Sequence, residues 1–209
     1  SLSAYGLGSA RAQASMANPP SGLVELAAIQ SPPLRAFIDP TNLYSVNIYA
    51  ESILKTLGRN VDPATPNAYE TGSAAVARIL TDLGVAPSSI DIVDGSGLSR
   101  QNQVTPEAFV DTLQAMAKTS NASIYRNSLA VAGRSGTLRN RMRGTVAEGR
   151  FQGKTGTLSG TYSLSGYLNP VNHPPLALSI LVNDTNASGR DVRSLIDQMV
   201  THAASLDDC

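Results

Sequence analysis

The strongest constraint on the fold comes from the last third of the sequence, where three strand-like segments precede one amphipathic helix. The segments are residues 153–158, 162–168 and 176–182. A Ser-Gly turn and a proline-rich turn separate them, and connections this short join antiparallel strands. The helix predicted over 190–204 carries an apolar stripe suited to cover one face of a sheet. The region therefore predicts an antiparallel meander with a helix packed on it.

Helical periodicity predicts four further helices upstream. Segments 48–57 and 72–83 are amphipathic, and the glycine that follows each of them is interpreted as a C-cap. On the first of these, Glu51 and Ser52 fall on the polar face. Another helix starts with Ser31 as N-cap and is broken within the polar segment 39–47, and the last opens at Thr105-Pro106.

The remaining segments are short strands and loops. Strands are predicted at 23–30 and 90–93, and the chain after Asn121 is predicted to be rich in loops through Gly144. In the glycine-rich loop 94–100, Asp94 is expected to brace backbone N–H groups. Together the elements predict an α/β chain of the α+β type, an antiparallel sheet covered by helices.

Composition excludes several classes of function. The chain has 209 residues, 42% of them hydrophobic, which is enough for one sizeable core. Sixteen basic residues balance sixteen acidic ones and tryptophan is absent, so no nucleic acid partner is expected. His173 and His202 lack metal-ligand spacing, and no metal or other cofactor is expected. A small or extended molecule remains as the partner.

The segment Gly153-Lys154-Thr155-Gly156-Thr157 has the pattern of an active-site edge strand. In an extended chain Lys154 and Gly156 point to one side and the two threonines to the other. A glycine without a Cβ lets another backbone lie close, and free edge groups can pair with that backbone. A fixed positive charge beside hydroxyls suits an extended peptide that ends in a carboxylate.

A second short motif, Ser45-Val46-Asn47, stands directly before the helix predicted at 48–57. A hydroxyl and an amide two residues apart can lie on one side of a loop. There the hydroxyl can relay a proton while the amide holds a carbonyl group. Ordinary helix capping is the alternative for both residues.

The order of these motifs resembles the penicillin-binding proteins, specifically their class C branch of D-alanyl-D-alanine carboxypeptidases and endopeptidases. The similarity extends from about residue 24 to about residue 200. The segments that resemble the family are Ser31-Pro32-Pro33-Leu34, Ser45-Val46-Asn47-Ile48-Tyr49-Ala50-Glu51, the loop 94–100 and residues 129–138, 153–160 and 162–167.

The resemblance implies a serine acyl-enzyme that cleaves the D-Ala-D-Ala end of peptidoglycan stem peptides and is blocked by β-lactams. It also implies a partial penicillin-binding-protein/β-lactamase-like transpeptidase fold. By this likeness Ser45 relays protons, Asn47 binds the substrate amide carbonyl, and Lys154 supports Ser45. By the same likeness, the hydroxyls of Thr155 and Thr157 bind the terminal carboxylate, and Gly156 lets the substrate backbone approach the strand. The Thr157 N–H donates to the oxyanion.

The family's nucleophile belongs to a Ser-x-x-Lys motif that precedes the Ser-x-Asn motif, and no such copy precedes Ser45. The one literal match, Ser52 to Lys55, follows Ser45 instead. It lies about 10 Å further along a helix, too far for both serines to reach one carbonyl. Ser52 is therefore rejected as the nucleophile, and this chain alone is expected to be inactive.

These observations predict the C-terminal part of a longer enzyme. Residues 1–22 are interpreted as a linker or the remnant of a preceding inserted region, and 23–209 as the C-terminal part of the penicillin-binding domain. The expected partners are the missing N-terminal segment, the stem peptide and β-lactams, with self-association through an unpaired sheet edge as a further possibility. The family implies a periplasmic or other extracytoplasmic location.

Two other functions fit the same residues. One is a noncatalytic module that binds peptidoglycan peptides through the Lys154 strand without acylation. The other keeps the fold and changes the substrate to a β-lactam or a small ester. For the peptidase itself, the balance of carboxypeptidase and endopeptidase cleavage stays open.

Overall fold

The structure, a computed structural model, describes residues 21–22, 24, 27 and 29–207. The chain divides into two compact units, residues 1–31 and 32–209, and all the elements named below belong to the second. The sequence-predicted strand at 23–30 and the segment before it lie largely outside the described residues. The helices are α1 (Arg35–Tyr44), α2 (Asn47–Val61), α3 (Ala68–Asp82), α4 (Pro106–Ala117), α5 (Ala122–Ser128) and α6 (Gly189–Ala203). The strands are β1 (Ile90–Asp91), β2 (Gln103–Val104), β3 (Ala130–Val131), β4 (Phe151–Leu158), β5 (Thr161–Leu168) and β6 (Leu176–Val182).

Four of the strands form one antiparallel sheet in the order β3-β4-β5-β6. The predicted meander of β4, β5 and β6 and the predicted α+β class are thus confirmed. Lys154 pairs with Ser165 and Thr155 with Leu164, so Lys154 and Thr155 project from opposite faces of the sheet, as their alternation predicts. The strands β1 and β2 make a separate two-stranded sheet.

Strand β3 pairs with the first part of β4, so only the second part of β4 is an edge of the described sheet. Ala130 and Val131 pair with Gly153 and Gln152, and the pairing stops there. Among the described residues, 154–158 of β4 have no strand beside them on that side. The edge prediction therefore holds for the half of β4 that begins at Lys154. The loop-rich prediction after Asn121 missed both β3 and α5, because a two-residue strand shows no alternation and α5 is rich in weak helix formers.

Side chains from both faces of the sheet build the core. Leu164 and Leu168 of β5 pack in the main cluster with Ile196 and Val200 of α6. On the other face, the Tyr167 hydroxyl donates to the Leu113 carbonyl of α4 at 2.7 Å. The apolar stripe of α6 was predicted to cover the sheet, and Val192, Ile196 and Val200 are buried in the core, whereas Leu195 and Met199 are 56% and 50% exposed.

Helix α1 begins and ends later than its sequence predicts. Its N-cap is Leu34, with no capping side chain, so Ser31 does not cap it. Pro40 lies inside the helix and does not break it. A proline removes one backbone hydrogen bond, but α1 also packs against α5 and α2. The break comes at Ser45, whose backbone is left-handed with φ 60° and ψ 50°.

Two glycines mark the place where α2 crosses α3, and neither ends a helix. Helix α2 continues three residues beyond Gly58, and α3 starts four residues before Gly72, so the C-cap prediction for Gly58 and the predicted start of α3 were wrong. A Cβ on Gly58 would overlap the Ala68 carbonyl oxygen, and one on Gly72 would overlap the Leu54 carbonyl oxygen. The glycines let the two backbones meet, and this contact fixes the helix that Asn47 begins.

Replacing Gly58 by alanine is expected to destabilise the protein. Alanine in an open helix stabilises by about 1 kcal/mol relative to glycine. At this crossing, overpacking should reverse the sign and cost about 1–3 kcal/mol. Urea unfolding measures the difference, with Ser52→Ala on the exposed face of the same helix as the control, expected within about 0.5 kcal/mol of wild type. A more stable Gly58→Ala variant would contradict the crossing.

Candidate active site

A hydrogen bond between Lys154 and Ser45 joins the sheet to the helices. The Lys154 ammonium donates to Ser45 Oγ at 2.8 Å and to the Thr155 carbonyl at 2.7 Å. Ser45 and Val46 are the only residues between α1 and α2, and Asn47 is the first residue of α2. The two predicted motifs, 109 residues apart in the sequence, thus meet in the fold.

Ser45 occupies a strained backbone conformation. Its φ of 60° lies in the left-handed region, which costs a residue with a Cβ about 1–3 kcal/mol and persists only where the surrounding structure holds it. The conformation turns the chain from one helix into the next within two residues. As a result the exposed Ser45 hydroxyl stands at the Lys154 side chain instead of capping a helix.

Lys154 is a largely buried cation. Desolvation lowers the pKa of its ammonium below the usual lysine range. In the part of the chain that the structure describes, ion pairs form at Arg35–Asp39 and Arg141–Asp197, and Lys154 takes part in neither. A lysine with a lowered pKa and no carboxylate partner can attract an incoming anion and support proton transfer at Ser45.

The threonines of β4 differ in their surroundings. The Thr155 hydroxyl donates to Thr137 Oγ1 at 2.9 Å. The Thr157 side chain is exposed and, within the described residues, has no hydrogen-bond partner. A Cβ on Gly156 would meet the Ser163 hydroxyl of β5, a side-chain group that can rotate away, and would meet no backbone atom of β5. Hydrogen bonds bring Ser45, Lys154 and Thr155 together, whereas no hydrogen bond among the described residues joins the side chain of Asn47 or Thr157 to them.

Glu51 anchors the glycine-rich loop to α2. Its carboxylate accepts hydrogen bonds from the Gly95 amide at 3.3 Å and the Ser96 amide at 3.0 Å. Partial burial raises the pKa of Glu51, but hydrogen bonds from the Ser96 hydroxyl and the two amides outweigh it, and the pKa lies below its usual value. The sequence placed Glu51 on the polar face of α2, and the glycine-rich loop packs on that side of the helix.

Asp94 and Arg100 organise the same loop. The Asp94 carboxylate accepts from the amides of Gly97 and Ser99, both at 2.7 Å, which confirms the predicted brace. Arg100 donates to the Ser159 carbonyl at 2.8 Å, in the turn that follows β4. The loop thereby connects the helix that starts at Asn47 with the far end of β4.

Ser52 and Lys55 do not form a catalytic pair. Ser52 is exposed, and its hydroxyl donates to the Ile48 carbonyl of its own helix at 2.7 Å. The Lys55 ammonium lies 4.5 Å from the centre of the Tyr69 ring. The structure agrees with the rejection of Ser52 as nucleophile.

Sequence reasoning missed Thr137 and the anchoring role of Glu51. Both residues lie inside segments that carry the family resemblance, 129–138 and 45–51. That location was the only signal available, because neither contact follows from a local pattern.

Two kinds of feature are absent from the described part of the chain. It contains no cluster of three or more His, Cys, Asp or Glu side chains arranged to hold a metal ion. Over the same residues, none of the helices has the length and apolar character that crossing a bilayer requires.

Comparison with known proteins decides the family. The sequence pattern of the D-Ala-D-Ala carboxypeptidase 3 (S13) family matches residues 5–206. This chain belongs to that family. The resemblance drawn from the motif order is thereby confirmed.

Curated relatives agree with this assignment. A D-alanyl-D-alanine carboxypeptidase from Actinomadura sp. (strain R39) is 40% identical over 163 residues, which cover 76% of this chain and 30% of the relative. A penicillin-sensitive carboxypeptidase A from Dictyostelium discoideum is 33% identical over 177 residues, covering 81% of this chain and 34% of the relative. The chain thus spans about a third of the length of these relatives.

Solved structures confirm the penicillin-binding-protein/β-lactamase-like fold. Penicillin-binding protein 4 from Haemophilus influenzae, complexed with a β-lactam, superposes with a TM-score of 0.71 at 24% identity, covering 80% of this chain and 40% of its own. The TLA-1 extended-spectrum β-lactamase superposes with a TM-score of 0.62 at 18% identity, covering 81% of this chain and 62% of its own. At these identities the likeness concerns the fold.

The lowered pKa of Lys154 sets the sign of a pH effect on stability. Below its folded-state pKa the buried ammonium opposes folding. As pH rises through that pKa towards the usual lysine value, the unfolded chain holds more protons and stability increases. Relative to Lys154→Met, the wild-type free energy of unfolding should therefore rise between neutral and alkaline pH. The control is Lys118→Met, at an exposed position. If wild type differs from Lys154→Met and from Lys118→Met by the same change with pH, the effect assigned to Lys154 is refuted.

Removing the Glu51 carboxylate is expected to loosen the glycine-rich loop. Glu51→Gln should speed hydrogen exchange at the Gly95 and Ser96 amides and cost about 1–2 kcal/mol, since hydrogen bonds to a charged acceptor are lost. In wild type the same protection should fall when acid titrates the carboxylate through its lowered pKa. Asp111→Asn on the exposed side of α4 serves as the control. Unchanged exchange at both amides in Glu51→Gln would exclude the anchor.

Proposed function

We propose that this chain forms the substrate-holding side of a serine-type D-Ala-D-Ala carboxypeptidase or endopeptidase that acts on peptidoglycan stem peptides. The observation that carries the proposal is the 2.8 Å hydrogen bond between Lys154 and Ser45 beside the open half of β4, in a member of this family. The reaction proceeds through an acyl-enzyme, and β-lactams are trapped at the same step. The protein acts in the periplasm or another extracytoplasmic compartment.

Proton transfer is assigned to Ser45 and Lys154. The Ser45 hydroxyl can accept from Lys154 and donate to a leaving amine, because a hydroxyl both accepts and donates hydrogen bonds. The desolvated ammonium of Lys154 favours the proton's passage by holding Ser45 in place and by stabilising negative charge. Asn47, whose side chain is exposed at the start of α2, binds the amide carbonyl of the substrate.

Substrate binding is assigned to the open half of β4. An extended peptide can pair with the backbone of residues 154–158, which no described strand occupies on that side. The hydroxyls of Thr155 and Thr157 hold the terminal carboxylate, and the strand at Gly156 lets the peptide backbone approach. The Thr157 N–H stabilises the oxyanion, a kind of contact whose loss typically costs about 10²- to 10³-fold in rate.

The nucleophile is assigned to a Ser-x-x-Lys segment outside these 209 residues. The chain spans about a third of its curated relatives, which leaves ample length for such a segment. The serine of that segment must lie beside Ser45 and Lys154, and other residues of the longer protein can add a strand at the outer edge of β6, which no described strand pairs. Self-association of this chain through the same edge is the alternative outcome.

Labelling of the longer parent protein with a fluorescent penicillin tests the assignment. A serine outside this segment should be acylated, and Ser45→Ala should slow acylation by about a hundredfold or more, since proton transfer contributes about 10²- to 10⁴-fold. The control is Ser52→Ala, which should label at the wild-type rate. No label on a folded parent protein, or equal rates for the two variants, would overturn the proposal. Reversible peptide binding without acylation would instead identify a noncatalytic module.

A further inference from the structure

Thr137 lies on a short 3-10 turn, Gly136–Leu138, that contacts both β3 and β4. Its hydroxyl accepts the hydrogen bond of Thr155 at 2.9 Å. This is the one hydrogen bond of the Thr155 side chain within the described structure. Thr137 is exposed and Thr155 is partly buried, so a bound ligand can reach both hydroxyls.

The turn that carries Thr137 is held from three sides. Gly136 has φ 53°, and a Cβ there would overlap the carbonyl oxygen of Leu43, two residues before Ser45. Leu138 is fully buried in the main core. The Ser135 hydroxyl accepts from the Val131 amide of β3 at 3.0 Å. These contacts fix Thr137 relative to both the Ser45 junction and the sheet.

A hydroxyl pair of this kind can switch its direction of donation. When Thr155 donates to a carboxylate, its oxygen becomes free to accept a hydrogen bond from Thr137, because every hydroxyl both donates and accepts. A donor behind Thr155 also polarises its O–H bond and strengthens the charge-assisted bond to the anion. The pair further limits Thr155 to one side-chain rotamer before the ligand arrives, which lowers the entropy lost on binding.

We propose that Thr137 is a positioning residue that orients the Thr155 hydroxyl towards the terminal carboxylate of the substrate and thereby favours peptides with a free C-terminus. The inference rests on the proposed function, in which Thr155 binds that carboxylate. Thr137 makes a peptide with a free C-terminal carboxylate bind better than its C-terminal amide. It does so through Thr155 and does not contact the peptide bond that is cleaved.

Calorimetry on the longer parent protein tests this preference for a free C-terminus. The two ligands are an N-acylated D-Ala-D-Ala peptide and its C-terminal amide. Thr137→Val, which keeps shape and removes the hydroxyl, should weaken binding of the acid about three- to tenfold and leave the amide within about twofold. Thr137→Ser should restore the wild-type difference. In a Thr155→Val background, Thr137→Val should add no further loss, because both act through one hydroxyl. Equal losses for acid and amide would overturn the inference.

A measurement without ligand separates this inference from the proposed function. Three-bond NMR couplings to the Thr155 methyl group report its side-chain rotamer. One rotamer is expected in wild type and Thr137→Ser, and averaging in Thr137→Val; no change in Thr137→Val would exclude a positioning role. Thr81→Val is the matched control, since its exposed hydroxyl bonds only to the Ala77 carbonyl of its own helix. If wild type holds one rotamer but binds neither peptide, the proposed function fails and the carboxylate selection fails with it.

Discussion

The contact between Lys154 and Ser45 depends on backbone contacts that hold the segments on which the two residues lie. Ser45 reaches the lysine only because α1 and α2 meet at a left-handed residue. Helix α2 is held by its close crossing with α3 at Gly58 and Gly72, and the end of α1 is held where Gly136 meets the Leu43 carbonyl. On the other side, pairing with β3 and β5 fixes the position of Lys154. The α2–α3 crossing, the contact of Gly136 with Leu43, and the pairing of β4 with β3 and with β5 therefore together position one side-chain hydrogen bond.

The ammonium of Lys154 has no ion-pair partner among the described residues. A largely buried cation is unfavourable without a partner, and here its partners are a hydroxyl and a carbonyl. The carboxylates of the adjoining helix and loop have partners of their own: Glu51 accepts from the amides of Gly95 and Ser96, and Asp94 from those of Gly97 and Ser99. These two acidic groups stabilise the glycine-rich loop, and neither forms an ion pair with Lys154.

Local patterns predicted the parts of the fold whose cause is local. The alternation in β4, β5 and β6 and the apolar stripe of α6 depend on neighbours in the sequence, and all four elements were found within two residues of their predicted bounds. The failures depend on distant contacts. Gly58 looks the same whether it caps a helix or meets another backbone, Pro40 is tolerated because α1 is packed, and β3 exists only through pairing with β4. Thr137 was missed for the same reason, since its partner is 18 residues away.

The end of β3 is what gives β4 its two roles. Up to Gly153, β4 is an interior strand, with the buried Phe151 in the core and hydrogen bonds on both sides. From Lys154 onwards no described strand pairs with one side of β4, and an unpaired edge invites pairing with other chains. A charged lysine at the first open position discourages unselective pairing, while Arg100 ties the far end to the glycine-rich loop at Ser159. The stretch of β4 without a described neighbouring strand is only five residues long, 154–158, which fits a short extended segment better than a second sheet.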